Sequence, residues 1–294
     1  MREALARAIR RLPCTVSPEL VASTRALFAP LHDLPPYGGM RVERDVAYGP
    51  HERNRLDLFV PDETAASSAA RAIVVFVHGG GFVGGDKSAP NSPYYDNIAV
   101  WAAREGFVGV TVTYRLAPAH PYPSAAEDVA SALRWIERHC AGFRGDAGAI
   151  VPFGQSAGAT HIASCIAAGH AKNVAGAVLL SGVYDFEAMR ESPNVQAYVG
   201  DDRAAMRAAS PLTGLASADV PLLFGVSEFD PPEFQAQAAV LFERRWSARG
   251  RFPDVIYLPQ HNHLSQVAHL GARDTGDSML ADRLSMFVRT AAIS

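Results

Sequence analysis

Short, unbroken apolar runs separated by helical patterns constrain this chain more than any other feature. Ala72-Ile73-Val74-Val75-Phe76-Val77 has no polar position and is rich in branched side chains. Such a run fits a strand covered on both faces, as in a parallel sheet. Phe107–Tyr114, Val174–Ser181 and Val220–Val226 read the same way, and Asp254–Leu258 supplies a last strand. Between these runs, Pro93–Glu105, Ser124–Cys140 and Glu233–Arg249 carry helical periodicity, with Val129, Leu133 and Ile136 on one face of the second. Gly271–Val288 contains a closing helix. Ahead of the repeat, Arg41–Tyr48 and Arg55–Val60 alternate as a hairpin around Gly49–Asn54. Thr64–Ala70 is small and polar and reads as an exposed loop. A hairpin followed by repeating strand-helix-strand units predicts an α/β fold. Its sheet should be mixed, mainly parallel and of about eight strands, with helices on both faces.

In such sheets, chemistry collects at the carboxyl ends of the strands. Ile150-Val151-Pro152-Phe153 leads directly into Gly154-Gln155-Ser156-Ala157-Gly158 and then into an Ala-rich helical pattern. Strand, Gly-x-Ser-x-Gly and helix in that order form a nucleophile elbow, which makes Ser156 the candidate nucleophile. The strained turn demands small neighbours, and the helix start directs N–H groups at the serine. His78-Gly79-Gly80-Gly81-Phe82 follows the Ala72–Val77 strand. Its glycines leave N–H groups free for a developing oxyanion, so Gly80, Gly81 and the Ala157 N–H are the expected donors. Phe82 is expected to pack beside the site and contact substrate.

The order nucleophile, acid, histidine then directs the search downstream. Gln260-His261-Asn262-His263-Leu264-Ser265 follows the Asp254–Leu258 strand and offers two bases, of which His263 is preferred because it sits farther into the loop. Asp230 opens a loop stiffened by Pro231 and Pro232 and is the preferred acid. Glu228 and Asp219 are its rivals, and Glu228 could instead cap a backbone turn. His261-x-His263 also has metal-ligand spacing, but no cysteine or acid stands near it in sequence, so neither a metal nor a cofactor is expected. His32, His120, His139, His161, His170 and His269 read as structural or surface residues.

Composition removes other classes. A formal net charge of −3 on 294 residues gives no electrostatic footprint for nucleic acid. Cys14, Cys140 and Cys165 are odd in number and widely spaced, which fits a reducing compartment and no disulfide framework. Charges interrupt residues 1–11 throughout, unlike a signal peptide, and no stretch has the length of a membrane span. A cytoplasmic location follows as the default. Residues 1–36 read as a helical arm before the break at Leu34-Pro35-Pro36, either a surface feature or part of a lid. Ser17 caps its second helix, with Pro18 in the first turn. A homodimer is left open.

Three motifs taken together resemble the hormone-sensitive lipase-like esterases, a family of α/β-hydrolases. They are His78-Gly79-Gly80-Gly81-Phe82, Tyr114-Arg115-Leu116-Ala117-Pro118 with His120-Pro121-Tyr122-Pro123, and Gly154-Gln155-Ser156-Ala157-Gly158. The resemblance covers roughly residues 40–290. It implies a Ser156, Asp230, His263 triad, an oxyanion hole from Gly80, Gly81 and Ala157, and action on small or short-chain carboxylic esters without a cofactor. It also implies a hydrolase domain over 37–294 with a lid built from the 1–36 arm and an insertion at about 183–215. Gln155 departs from the family pattern, which usually has an acid there, and Ala159 stands where a second glycine is common. His261-Asn262-His263 also resembles the arylformamidase-like hydrolases, so amide hydrolysis stands as the alternative. A non-catalytic binding protein of the same fold is the third reading, disfavoured because all three triad candidates are present.

Overall fold

The computed structural model describes residues 1–62 and 69–293. Most of the loop expected at Thr64–Ala70 therefore lies outside the described residues. The strands are β1 (Met40–Ala47), β2 (Arg55–Pro61), β3 (Arg71–Val77), β4 (Val108–Val112), β5 (Gly145–Gln155), β6 (Ala177–Leu180), β7 (Leu222–Phe229) and β8 (Asp254–Asn262). Among the described residues they form one eight-stranded sheet in the order β1-β2-β4-β3-β5-β6-β7-β8. The hairpin pairs antiparallel, β2 pairs antiparallel with β4, and every later pair is parallel.

The helices are α1 (Glu3–Arg10), α2 (Pro18–Phe28), α3 (Asp96–Arg104), α4 (Ser124–His139), α5 (Ala157–Ala167), α6 (Pro193–Val199), α7 (Arg203–Ala209), α8 (Leu212–Ser217), α9 (Pro232–Arg249), α10 (Ser265–Ala268) and α11 (Met279–Ala291). Side chains alternate across a strand, so the apolar run of β3 divides between two cores. Ile73, Val75 and Val77 join the layer built with Val129, Leu133 and Ile136 of α4, Ile162 and Ile166 of α5, and Leu241 of α9. Val74 and Phe76 face Ile9 of α1, Phe28 of α2, Trp101 of α3 and Leu284 of α11. An unbroken apolar run is what two covered faces require.

The N-terminal arm is tied down more firmly than a loose surface segment. Leu20, Thr24 and Phe28 are fully buried, and Ser17 Oγ accepts the Leu20 N–H at 3.1 Å to cap α2. Boundaries shift elsewhere. α3 starts at Asp96 rather than near Pro93, with the Tyr95 N–H bonded to the Lys87 carbonyl. β8 runs past Leu258 to Asn262 because its register with β7 shifts between Ser227 and Phe229. The Glu228 carboxylate accepts the Gln260 N–H at 2.7 Å within that irregularity. His261 consequently sits in the end of β8, not in the loop that the sequence suggested.

Candidate active site

The elbow is a matter of backbone geometry. Ser156 directly follows β5 with φ 56° and ψ −125°, a conformation rarely adopted by a side-chain-bearing residue, and α5 starts immediately after it. The turn holds because α5 lies directly on β3: a Cβ at Gly158 would come within 2.0 Å of the Val77 carbonyl oxygen. Only glycine permits that approach.

The structure brings the three sequence candidates into one chain of hydrogen bonds. His263 Nε2 lies 2.9 Å from Ser156 Oγ, and His263 Nδ1 lies 2.7 Å from Asp230 Oδ1. A carboxylate only accepts, so Nδ1 carries the proton and Nε2 is left to accept from the serine hydroxyl. Asp230 and His263 are almost fully buried. The second carboxylate oxygen of Asp230 accepts the Ser227 N–H at 2.7 Å and the Ser181 hydroxyl at 2.5 Å. Phe234, at the start of α9, packs its ring 4.3 Å from that of His263.

The rivals are placed elsewhere. Glu228 caps the Gln260 backbone, and Asp219 is exposed and paired with Arg249. His261 turns away from the serine, with Nδ1 3.0 Å from Ser265 Oγ and Nε2 3.0 Å from Asp277 Oδ2. The absence of an acid near His261 in sequence did not extend to space, since the loop before α11 delivers one.

The glycine loop after β3 lines the same cavity as Ser156. Gly80 adopts φ +139°, and a Cβ there would meet the Gly84 carbonyl oxygen at 2.0 Å. The loop is held by His78, whose Nδ1 bonds the Gly79 carbonyl at 2.7 Å and whose ring stacks on Tyr114 at 4.4 Å. Burial pushes the His78 imidazole down to about 4, partly opposed by the Gly79 carbonyl, so it stays neutral. Phe82 is buried, stacked on Tyr198 at 4.6 Å, and it lines the cavity.

That cavity encloses about 710 Å³ over Ser156, His263, Gly80, Gly81 and Ala157. Val16 and Val21 of the arm, Val183, Met189 and Val195 of the 183–215 segment, and Phe234 give it an apolar wall. Arg25 reaches its rim and lies over the Tyr94 and Tyr95 rings, 5.3 Å from each centroid.

Ser181, Gln266 and Phe234 support the site without belonging to any motif, and Gln155, conspicuous within the elbow motif, had no role that sequence alone could assign. Gln155 is 1% exposed, and its Nε2 donates to the His263 carbonyl at 2.8 Å. Gln266 Nε2 donates to the same carbonyl at 2.9 Å and lies 3.0 Å from Ser181 Oγ. The residue beside the nucleophile thus pins the loop that carries the histidine.

The family described as alpha/beta hydrolase fold matches residues 74–264. Among curated relatives, the tuliposide A-converting enzyme b1 of Tulipa gesneriana is 34% identical over 125 residues, 40% of this chain and 33% of that protein. Esterase LipI of Mycobacterium tuberculosis is 40% identical over 104 residues, 35% of this chain and 31% of that protein. The matched segment thus spans about a third of the length of these relatives. Among solved structures, the hyperthermophilic esterase of Pyrobaculum calidifontis superposes with a TM-score of 0.73 at 20% identity, over 100% of this chain and 98% of that one. An esterase of the bacterial hormone-sensitive lipase family superposes with a TM-score of 0.69 at 22% identity, over 98% and 96%. At such identities the likeness is one of fold.

Proposed function

The chain belongs to the alpha/beta hydrolase fold family, and on that premise we propose that it is a serine carboxylesterase acting on small or short-chain carboxylic esters. One observation carries the reading: His263 bridges Ser156 Oγ and Asp230 with 2.9 and 2.7 Å contacts in a buried setting. His263 takes the Ser156 proton as Oγ attacks the ester carbonyl. The oxyanion develops against the N–H groups of Gly80, Gly81 and Ala157. His263 then protonates the leaving alcohol, and water resolves the acyl-enzyme by the same steps in reverse roles. Asp230 fixes the imidazole tautomer and stabilises the imidazolium. The residues need no cofactor for these steps.

The α1–α2 arm and the 183–215 segment act as a two-part lid, a role supported by the side chains both contribute to the cavity wall. A cytoplasmic location belongs to the same proposal. No helix among the described residues is long and apolar enough to cross a membrane.

The decisive experiment compares kcat/KM on short-chain aryl esters and on N-formylkynurenine, with Ser156→Ala as control. Ester turnover that Ser156→Ala lowers by about 10⁵-fold or more is the expected result. Preference for the formamide would move the assignment to an arylformamidase-like amide hydrolase. No turnover and no labelling by a serine-directed phosphonate would move it to a non-catalytic binding protein.

A further inference from the structure

A second cluster of chemistry-bearing side chains lies outside the Ser156 site and takes no part in the steps above. His261 from the end of β8, His269 just after α10 and Asp277 from the loop before α11 each offer one ligand atom, all within 4.8 Å of one another. The two imidazoles are buried, with residues His261 and His269 0% and 2% exposed and their ring centroids 4.2 Å apart, while the Asp277 carboxylate is partly exposed beside them.

The protons in this pocket are fixed by its hydrogen bonds. His269 Nδ1 lies 2.8 Å from the Ser265 carbonyl and must donate to it. The lone pair of His269 therefore sits on Nε2, which is buried and has no hydrogen-bond partner. Buried polar atoms without partners are rare and costly, and each asks for an explanation. His261 is held in the complementary way. Its Nδ1 is 3.0 Å from Ser265 Oγ, leaving Nε2 toward Asp277 at 3.0 Å. The other Asp277 oxygen accepts the Met279 N–H at 3.2 Å, which anchors the carboxylate to the start of α11. Both imidazoles thus present Nε2 to one point while a backbone or hydroxyl group orients Nδ1, the arrangement seen around ligating histidines.

We propose that His261, His269 and Asp277 form a buried binding site for a zinc-type divalent cation. Two imidazole nitrogens and one carboxylate suit zinc, with the fourth tetrahedral position left to a water. Bonds of about 2.0 Å place tetrahedral ligand atoms about 3.3 Å apart, so small rotations of these side chains close the site. Binding moves the single His261 proton from Nε2 to Nδ1, where Ser265 Oγ accepts it while donating its own hydrogen to the Asn262 carbonyl, and gives His269 Nε2 a partner. The cation would join β8, α10 and the segment leading into α11. It would act as a structural clamp beside the His263 loop, and the proposal does not depend on what reaction that loop serves.

The test is a Co²⁺ titration of the chelator-treated full chain, with Zn²⁺ competition, metal-to-protein stoichiometry by elemental analysis and thermal unfolding with and without Zn²⁺. The expected result is one tightly bound Co²⁺ per chain with an intense tetrahedral visible band. Zn²⁺ should abolish the band and raise the melting temperature. His269→Gln and Asp277→Asn, each checked for native circular dichroism, should each weaken binding at least tenfold. Ser156→Ala and His139→Gln should leave it intact. Absence of a visible band in the wild-type chain, or an unchanged Co²⁺ affinity in a folded Asp277→Asn variant, would overturn the proposal. The second variant keeps the test open if His269→Gln does not fold.

Discussion

Gln155→Glu changes one buried atom and should be one of the more damaging conservative substitutions in this chain. Gln155 is 1% exposed, and its amide donates to the His263 carbonyl at 2.8 Å. Glutamate keeps the shape but replaces the donor with an oxygen. Facing a carbonyl, that oxygen is tolerable only if it is protonated, because no arginine or lysine is bonded to Gln155 among the described residues. Burial beside an acceptor raises a carboxyl group. If its folded-state value reaches about 7 from the free value of about 4.3, at about 1.36 kcal/mol per unit the cost is about 3.7 kcal/mol above pH 7. The folded state then binds the extra proton, so the deficit grows as pH rises through this window and vanishes below about pH 4.3. The His263 carbonyl keeps its bond from Gln266 at 2.9 Å. Gln155→Met, which removes the donor without adding a carboxyl, should therefore cost only about 1 kcal/mol and show no such pH dependence. Denaturant unfolding of the three proteins at pH 5 and pH 8 measures both differences. The reasoning is refuted if Gln155→Glu is within 1 kcal/mol of wild type at pH 8, or if its deficit is the same at both pH values.

Two other outcomes follow from buried polar groups. Ser181→Ala removes a hydroxyl bond to Asp230 while leaving the Ser227 N–H in place. A lost bond to a charged group is worth about 1.5–3 kcal/mol, so kcat should fall about 10-fold to 150-fold with KM little changed, and Ser181→Thr should recover part of it in steady-state assays. Burial holds the His78 and His161 imidazoles down at about 4 and about 3, against 6.5 when free. The unfolded chain takes up protons there first, so stability present above pH 6.5 is lost as pH falls toward 4, by about 3 kcal/mol for His78 alone. A flat unfolding free energy between pH 7 and pH 4.5 would contradict this, and His161→Asn should shallow the slope.

Sequence alone carried the fold class and narrowed the candidate site to Ser156, with Asp230 preferred over Glu228 and Asp219, and His263 over His261. Unbroken runs such as Ala72–Val77 can be satisfied only by strands covered twice, because alternate side chains face opposite layers. The elbow was legible because a strand, small residues and a helix occur consecutively, and Asp230 and His263 because each falls just beyond a strand. What lay beyond reach were contacts between residues far apart in the chain. Nothing in the linear order says that Gln155 reaches His263 or that Ser181 supports Asp230. Local sequence set the metal reading of His261 aside for want of an acid, yet a turn before α11 places Asp277 3.0 Å from it. The extension of β8 to Asn262 has the same cause: a register shift against β7 turns His261 away from Ser156 and leaves His263 to meet it. Periodicity and local turn chemistry are encoded residue by residue. The partner of a buried polar group is fixed only when separate strands and loops are packed against one another.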